Sequence, residues 1–282
     1  MRKTAIATVC LSGSLDQKID AIARAGFDGI ELFEPDLISS FATPTEIRDR
    51  IADAGLRIDL YQPLRDIEAT SPEEFRRSVD RAKRKFALMH ELGVDTALLC
   101  SNVATAVTDD DDTMAEQLSA LADAARDHGV RIAYEALAWG RHVSTYAHAW
   151  KIVESADHPS LGVCLDSFHI LARNSDLDGI ADIPGDKIFY LQLADAPRMT
   201  LDPLSWSRHH RLFPGEGDWD LVDFTGRVLD AGYSGPLSLE VFNDVFRQAE
   251  AVLTARDAWR SLALLDMRLD ARTAAPAQVP TV

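Results

Sequence analysis

The chain has 282 residues, 46% hydrophobic and 26% charged, a balance that fits a globular fold and excludes a disordered chain. Its formal net charge of −16 argues against nucleic acid and anionic membranes as partners, since both are held largely through phosphate neutralisation. No apolar run approaches the ~18 residues of a membrane span, and the N-terminal run Thr4–Leu11 is too short for a signal peptide, so cytoplasm is the expected compartment.

In chain order, Thr4–Val9 reads as a first strand and Leu15–Ala25 as an amphipathic helix closed by Gly26. Gly29–Phe33 is a second strand, and Pro44–Ala54 a helix with Pro at its first position after Thr43. Strand Arg57–Tyr61 follows, then helix Pro72–Leu92 with an N-cap at Ser71 and acids in its first turn. Strand Thr96–Cys100 precedes helix Thr113–His128. The Asp109–Asp112 run before that helix suits a helix N-terminus better than a metal site. Strands Val130–Tyr134 and Leu161–Leu165 flank helix Thr145–Ser155. The stretch Ile170–Ile183, interrupted by Asn174, Ser175 and Gly179, predicts a short or broken helix. Strand Ile188–Leu193, helix Asp220–Ala231, strand Pro236–Leu239 and helix Val245–Leu264 complete the series. Ala271–Val282 lacks helical periodicity, which places a barrel domain over residues 1–268 and a disordered tail over 269–282. Cys10, Cys100 and Cys164 lie in or beside apolar runs without metal-ligand spacing and read as buried free thiols.

Eight strands at a mean spacing of about 35 residues match the unit size of a single (β/α)₈ TIM barrel. A doubly wound sheet would want a Gly-rich phosphate turn after an early strand, and the sequence has none. In such a barrel the chemistry lies at the C-terminal ends of the strands. There the apolar runs RIAYE, LGVCLD, FYLQLAD and PLSLE deliver Glu135, Asp166, Gln192 and Glu240. Carboxylates converging at one mouth repel each other and lose solvation, a cost that a divalent cation offsets. This all-oxygen set describes one site for Mg²⁺, Mn²⁺ or Co²⁺. Strand 2 ends at Glu31 and Glu34, and His169 follows Asp166. Arg65, Arg208 and Arg211 lie in strand-to-helix loops, where a substrate anion would meet them. Pro214, Gly215 and Gly217 form a turn expected to bring backbone N–H groups to a ligand.

The segments AGFDGIELF, YEA at Glu135, CLDSFH at Asp166 and His169, FPGEGDWD at 213–220 and LSLEVFND at Glu240 resemble the xylose-isomerase-like barrels of the sugar-phosphate isomerase/epimerase superfamily. Longer runs, among them YEALAWGRHVSTY, IPGDKIFYLQLADAP and WSRHHRLFPGEG, are similar to its bacterial 3-dehydroshikimate dehydratase branch, which also carries Gln where the sugar isomerases carry His at the position of Gln192. Some dehydratases of that branch are fused to a dioxygenase-like domain, and this chain resembles the stand-alone form. The resemblance implies metal ligands Glu135, Asp166, Gln192 and Glu240. It also implies substrate contacts by Arg65, His169 and Arg211, with Arg208 and His142 as further candidates.

The implied activity is loss of water from 3-dehydroshikimate to give protocatechuate. His169 is the leading base, because an imidazole titrates near working pH, and Glu135 or Glu240 is the alternative. Arg65 and Arg211 are expected to hold the substrate carboxylate. The rival readings are a metal-dependent ketose or hydroxypyruvate isomerase or epimerase, and a non-catalytic metabolite-binding barrel. The partner expected is a small carboxylate, with room left for a homo-oligomer.

Overall fold

The apolar runs pair in sequence order, every neighbour parallel, into one closed eight-stranded barrel. The strands are β1 (Thr4–Ala7), β2 (Gly29–Phe33), β3 (Arg57–Leu64), β4 (Thr96–Cys100), β5 (Arg131–Glu135), β6 (Leu161–Asp166), β7 (Ile188–Leu193) and β8 (Leu237–Leu239). The computed structural model describes residues 1–274. Around the barrel lie α1 (Leu15–Ala25), α2 (Glu34–Ile38), α3 (Pro44–Asp53), α4 (Pro72–Leu92), α5 (Asp111–Arg126), α6 (Tyr146–Ala156), α7 (Ser167–Leu171), α8 (Pro203–His209), α9 (Leu221–Asp230) and α10 (Ala251–Ala274). No helix among the described residues is long and apolar enough to cross a membrane.

Helix starts follow the expected chemistry. Ser14 and Thr43 close capping boxes with Gln17 and Glu46, Ser71 caps α4, and Asp110 accepts from the backbone N–H of Thr113. The Asp109–Asp112 run is thus a helix cap. Gly26 and Gly93 end their helices in the left-handed region, with φ of 99° and 72°.

The barrel buries side chains on both faces, which is why its strands read as continuous apolar runs. Inside it pack Leu60, Leu98, Cys100, Ala133, Cys164 and Tyr190, while a larger layer fills the space between sheet and helices. All three cysteines are buried and unpaired.

Three expectations need correction. Two short helices, α2 and α8, occupy stretches that the periodicity left as loops. The last helix begins at Ala251 rather than Val245, because residues 245–249 fold back on Asn243. Its side-chain oxygen accepts from the N–H groups of Val245 and Phe246, and its carbonyl accepts from that of Arg247. The helix then runs to Ala274, past the expected tail boundary at 269, because its final turns still have partners. Leu265 and Leu269 are buried, Asp266 pairs with Arg2 at 2.6 Å, and Arg272 pairs with Asp230 at 2.6 Å. The remainder of the expected tail lies outside the described residues.

Two buried carboxylates fix the loops at the catalytic end. Asp195, fully buried just past β7, accepts from four backbone N–H groups, those of Ala196, Gly215, Gly217 and Trp219, at 2.8–3.2 Å. This corrects the expectation that the turn at 214–217 offers its N–H groups to a ligand, since Asp195 takes those of Gly215 and Gly217. A Cβ at Gly217 would lie 2.4 Å from Asp195 Oδ1, so the close approach requires glycine.

Glu68, in the loop after β3, accepts from the Asn102 backbone N–H and from the Tyr134 hydroxyl, and its Oε2 is buried without a hydrogen-bond partner. Burial pushes this carboxyl up to about 7, against the opposing effect of its hydrogen bonds.

Asp195→Ala strands four backbone donors, and urea denaturation is expected to show a loss of about 2–4 kcal/mol. For Glu68 the folded-state value lies above the unfolded one. Its contribution is therefore fully present below the unfolded value and is lost as pH rises through 7. Melting temperatures measured between pH 5 and pH 8 should show Glu68→Gln gaining steadily on the parent as pH rises. Parallel curves would contradict the assignment.

Candidate active site

The C-terminal ends of β5 to β8 bring the predicted residues to one place. Asp166 and Gln192 are register partners on adjacent strands, and Gln192 is in turn paired with Ser238. Glu135, Asp166 and His169 are all buried, and each offers a donor atom within 4.8 Å of the other two. Glu135 Oε2 accepts from the Cys100 thiol, while Oε1 is buried with no hydrogen-bond partner. Asp166 Oδ1 accepts from the backbone N–H of Phe168, capping α7 and leaving Oδ2 turned to the site.

Burial raises the Glu135 carboxyl well above its usual range, and Asp166 and Glu240 push it the same way. Burial also raises Glu240, against the opposing pull of Arg211. These are the marks of acids crowded together out of water.

Arg211 lies among them, 1% exposed. Its Nη1 donates to Asp166 Oδ2 at 2.8 Å and to Glu240 Oε2 at 3.1 Å. Nε and Nη2 donate to Ser207 at 3.1 and 2.8 Å, and Nη2 also meets His169 Nε2 at 3.2 Å. Phe168 and Phe242 cover the guanidinium, with ring centroids 4.6 and 5.4 Å away. Asn243 fixes its backbone by donating to the Arg211 carbonyl at 2.9 Å. The sequence reading gave Arg211 to the substrate carboxylate. In the structure its Nη1 pairs with Asp166 and Glu240, and the residue also lines the cleft.

His169, the expected base, stands beside these acids. Its Nδ1 accepts from the fixed backbone N–H of Ala138 at 3.1 Å, so a neutral ring carries its proton on Nε2. That nitrogen faces Asp166 Oδ2 at 3.6 Å and Glu135 Oε1 at 3.8 Å, which favours a donor there over the lone pair that the Arg211 contact would use. Burial pushes the imidazole down to about 3. Asp166 opposes that shift, and Arg211, Arg208 and Arg65 add to it. The ring is therefore held in its neutral form.

The cleft above the acids is walled by Leu137, Trp139 and Phe242, and Arg65 and Arg208 stand at its rim. Arg208 lies over the Trp139 and Phe242 rings at 5.9 and 4.8 Å. Burial and the neighbouring Arg65 lower its affinity for a proton. Neither arginine has an ion pair with a carboxylate among the described residues. His142 does not line this cleft. The aromatic contributed by the loop after β5 is Trp139, whose ring meets His169 edge-on at 4.9 Å.

Residues 19–262 match the family model described as a xylose isomerase-like TIM barrel. The chain belongs to this family. It is 51% identical, over 93% of its length, to a 3-dehydroshikimate dehydratase of Pseudomonas putida, and 52% identical over 93% to that of Pseudomonas aeruginosa. It spans about two fifths of these relatives, covering 41% of each. Among solved structures, a xylose isomerase-like TIM barrel/4-hydroxyphenylpyruvate dioxygenase fusion protein superposes with a TM-score of 0.94 at 48% identity, covering 99% of this chain and 46% of that one.

In this xylose isomerase-like barrel the sequence reading noted Glu31 on strand 2 but gave it no role. It lies fully buried in the middle of β2 and touches Gln62, Gln192 and Ser238. The available signal was a carboxylate inside an apolar run, but Glu31 stands outside the consecutive set on β5 to β8. Removing the cation that holds Asp166 and Glu240 leaves buried like charges unpaired. Arg211→Ala is therefore expected to lower unfolding free energy in chelator by about 3–5 kcal/mol, with Arg211→Lys recovering only part because it lacks the planar fork. Chemical denaturation checks both variants.

Proposed function

We propose that this chain dehydrates 3-dehydroshikimate to protocatechuate. The observation that carries the reading is the half-identity to the two Pseudomonas dehydratases over nearly the whole of this chain. The cleft supports it with a rim of two unpaired guanidiniums suited to a carboxylate, aromatic walls suited to a ring, and a floor of crowded oxygen donors.

The residues on that floor fit a divalent cation. Glu135 Oε1 is a buried carboxyl oxygen with no hydrogen-bond partner, and the positive charge of Arg211 already stands between Asp166 and Glu240. Glu135, Asp166, Gln192 and Glu240 would hold one Mg²⁺, Mn²⁺ or Co²⁺, all of which accept such oxygen ligands. His169 stays outside the set, because its lone pair faces Ala138. When bound, the ion supplies Lewis-acid stabilisation of negative charge on a ketone oxygen.

The protein's own groups divide the remaining work. Arg65 and Arg208 bind the substrate carboxylate, and Trp139 and Phe242 flank the ring. The hard step is removal of a carbon-bound proton activated by the ketone. Glu135 is favoured as its acceptor, since His169 offers an N–H and Glu135 an unshared oxygen. The proton that Glu135 takes up returns to the departing hydroxyl, which leaves as water, while His169 Nε2–H donates a hydrogen bond to the developing oxyanion or to that hydroxyl.

Incubation with 3-dehydroshikimate should produce the ultraviolet band of an aromatic catechol, and chelator should abolish it. Absence of the band with metal supplied would overturn the reading. Glu135→Gln is expected to lower kcat by about 10²–10⁴-fold. Arg65→Ala and Arg208→Ala should act mainly on KM, and steady-state kinetics separates the two classes.

A further inference from the structure

A carboxamide has two ends of similar shape and opposite chemistry. Gln192, fully buried and in register with Asp166 and Ser238, can turn either a carbonyl oxygen or an NH₂ group toward its neighbours, and only the oxygen suits a cation. The amide itself has no preference, so something nearby must set it.

Glu31 is placed to do so. It is fully buried in the middle of β2, and its Oε2 accepts from Gln192 Nε2 at 2.6 Å and from Gln62 Nε2 at 2.7 Å. Its Oε1 accepts from the Ser238 hydroxyl. Strands β2, β3, β7 and β8 thus meet on one carboxylate inside the barrel. The Glu31 oxygens accept in all three contacts, so each amide facing them turns its nitrogen inward. Gln192 Oε1 is then directed away from Glu31, where it accepts from the Cys164 thiol at 3.4 Å. Gln62 likewise turns its oxygen away from Glu31, and this residue lines the cleft.

We infer that Glu31 is a positioning residue that sets the polarity of the Gln192 carboxamide, holding its oxygen available to a bound cation. This rests on the cation site proposed above. Glu31 touches no substrate and acts through Gln192. A neutral strand-7 ligand is then explained locally, because a carboxylate at position 192 would stand 2.6 Å from a second one.

The test is Mn²⁺ affinity, measured calorimetrically on chelator-treated full chain, with melting curves as a check of folding. Glu31→Gln preserves volume but replaces the two-oxygen acceptor with one carbonyl and one NH₂ group, so the two amides and the Ser238 hydroxyl no longer share a carboxylate. Its affinity is expected to fall about 10- to 100-fold, the usual effect of removing a partner that orients a ligand. Gln192→Glu should also bind more weakly than the parent, although it adds a negative ligand. The double variant Glu31→Gln/Gln192→Glu restores a donor facing an acceptor and should recover most of the loss.

Parent-like affinity in Glu31→Gln would overturn the inference. So would tighter binding by Gln192→Glu, which is what added charge alone predicts. Loss in both single variants without recovery in the double would overturn it too, since a packing defect behaves that way. If Glu31→Gln does not fold, the Gln192→Glu and double-variant arms still decide. A parent chain that binds no Mn²⁺ would sink the cation site itself, and the inference with it.

Discussion

The structure is organised around like charge out of water. Glu135, Asp166 and Glu240 are buried at strand ends, and Glu31 is buried within β2. Desolvation and mutual repulsion penalise each ionised form, and no apolar packing nearby reduces that cost. Whatever else the fold does, it must answer this cluster, and it does so in two ways. Glu31 is given three neutral donors from neighbouring strands. Asp166 and Glu240 are given the guanidinium of Arg211.

The second answer shapes the loops. An arginine buried this deeply holds its position only if its backbone is fixed and its remaining N–H groups have acceptors. Ser207 supplies acceptors from α8, Asn243 grips the Arg211 carbonyl, and Asp195 pins the turn that follows. This accounts for features that seem unrelated along the chain. The short helix α8, the fold-back at 243–249 and the glycine at 217 all support one cation. It also explains why the late helix begins at Ala251, since the residues before it are occupied around Asn243.

The sequence revealed these layers unevenly, for physical reasons. The strands were legible because both faces of the barrel are buried, leaving continuous apolar runs. Glu135, Asp166, Gln192 and Glu240 were legible because a polar residue closing such a run has few cheap explanations. Glu31 carried the same signal on β2, but its partners Gln62, Gln192 and Ser238 are distant in the chain, so its role shows only in three dimensions. Arg211 and Arg208 sit three residues apart in one segment, and nothing local distinguishes the buried counter-ion from the rim residue. His169 was assigned from its intrinsic pKa, whereas the backbone N–H of Ala138 decides its tautomer. The turn at 214–217 was read correctly as a concentration of N–H groups, but an internal carboxylate takes those of Gly215 and Gly217.

The cleft therefore has charge of both signs, arranged by depth. Crowded acids form its floor, and Arg65 and Arg208 stand uncompensated by any ion pair at its rim, within a chain whose net charge is −16. Each group costs free energy alone, and each would be relieved by a ligand of opposite sign. A cation alone leaves the rim arginines repelling each other, and an anion alone leaves the acids unanswered. A small carboxylate that also carries adjacent oxygen atoms can meet the rim with one end and a cation on the floor with the other. Under the proposed function, the two charge clusters together would favour such a molecule before any single hydrogen bond to the ring is considered.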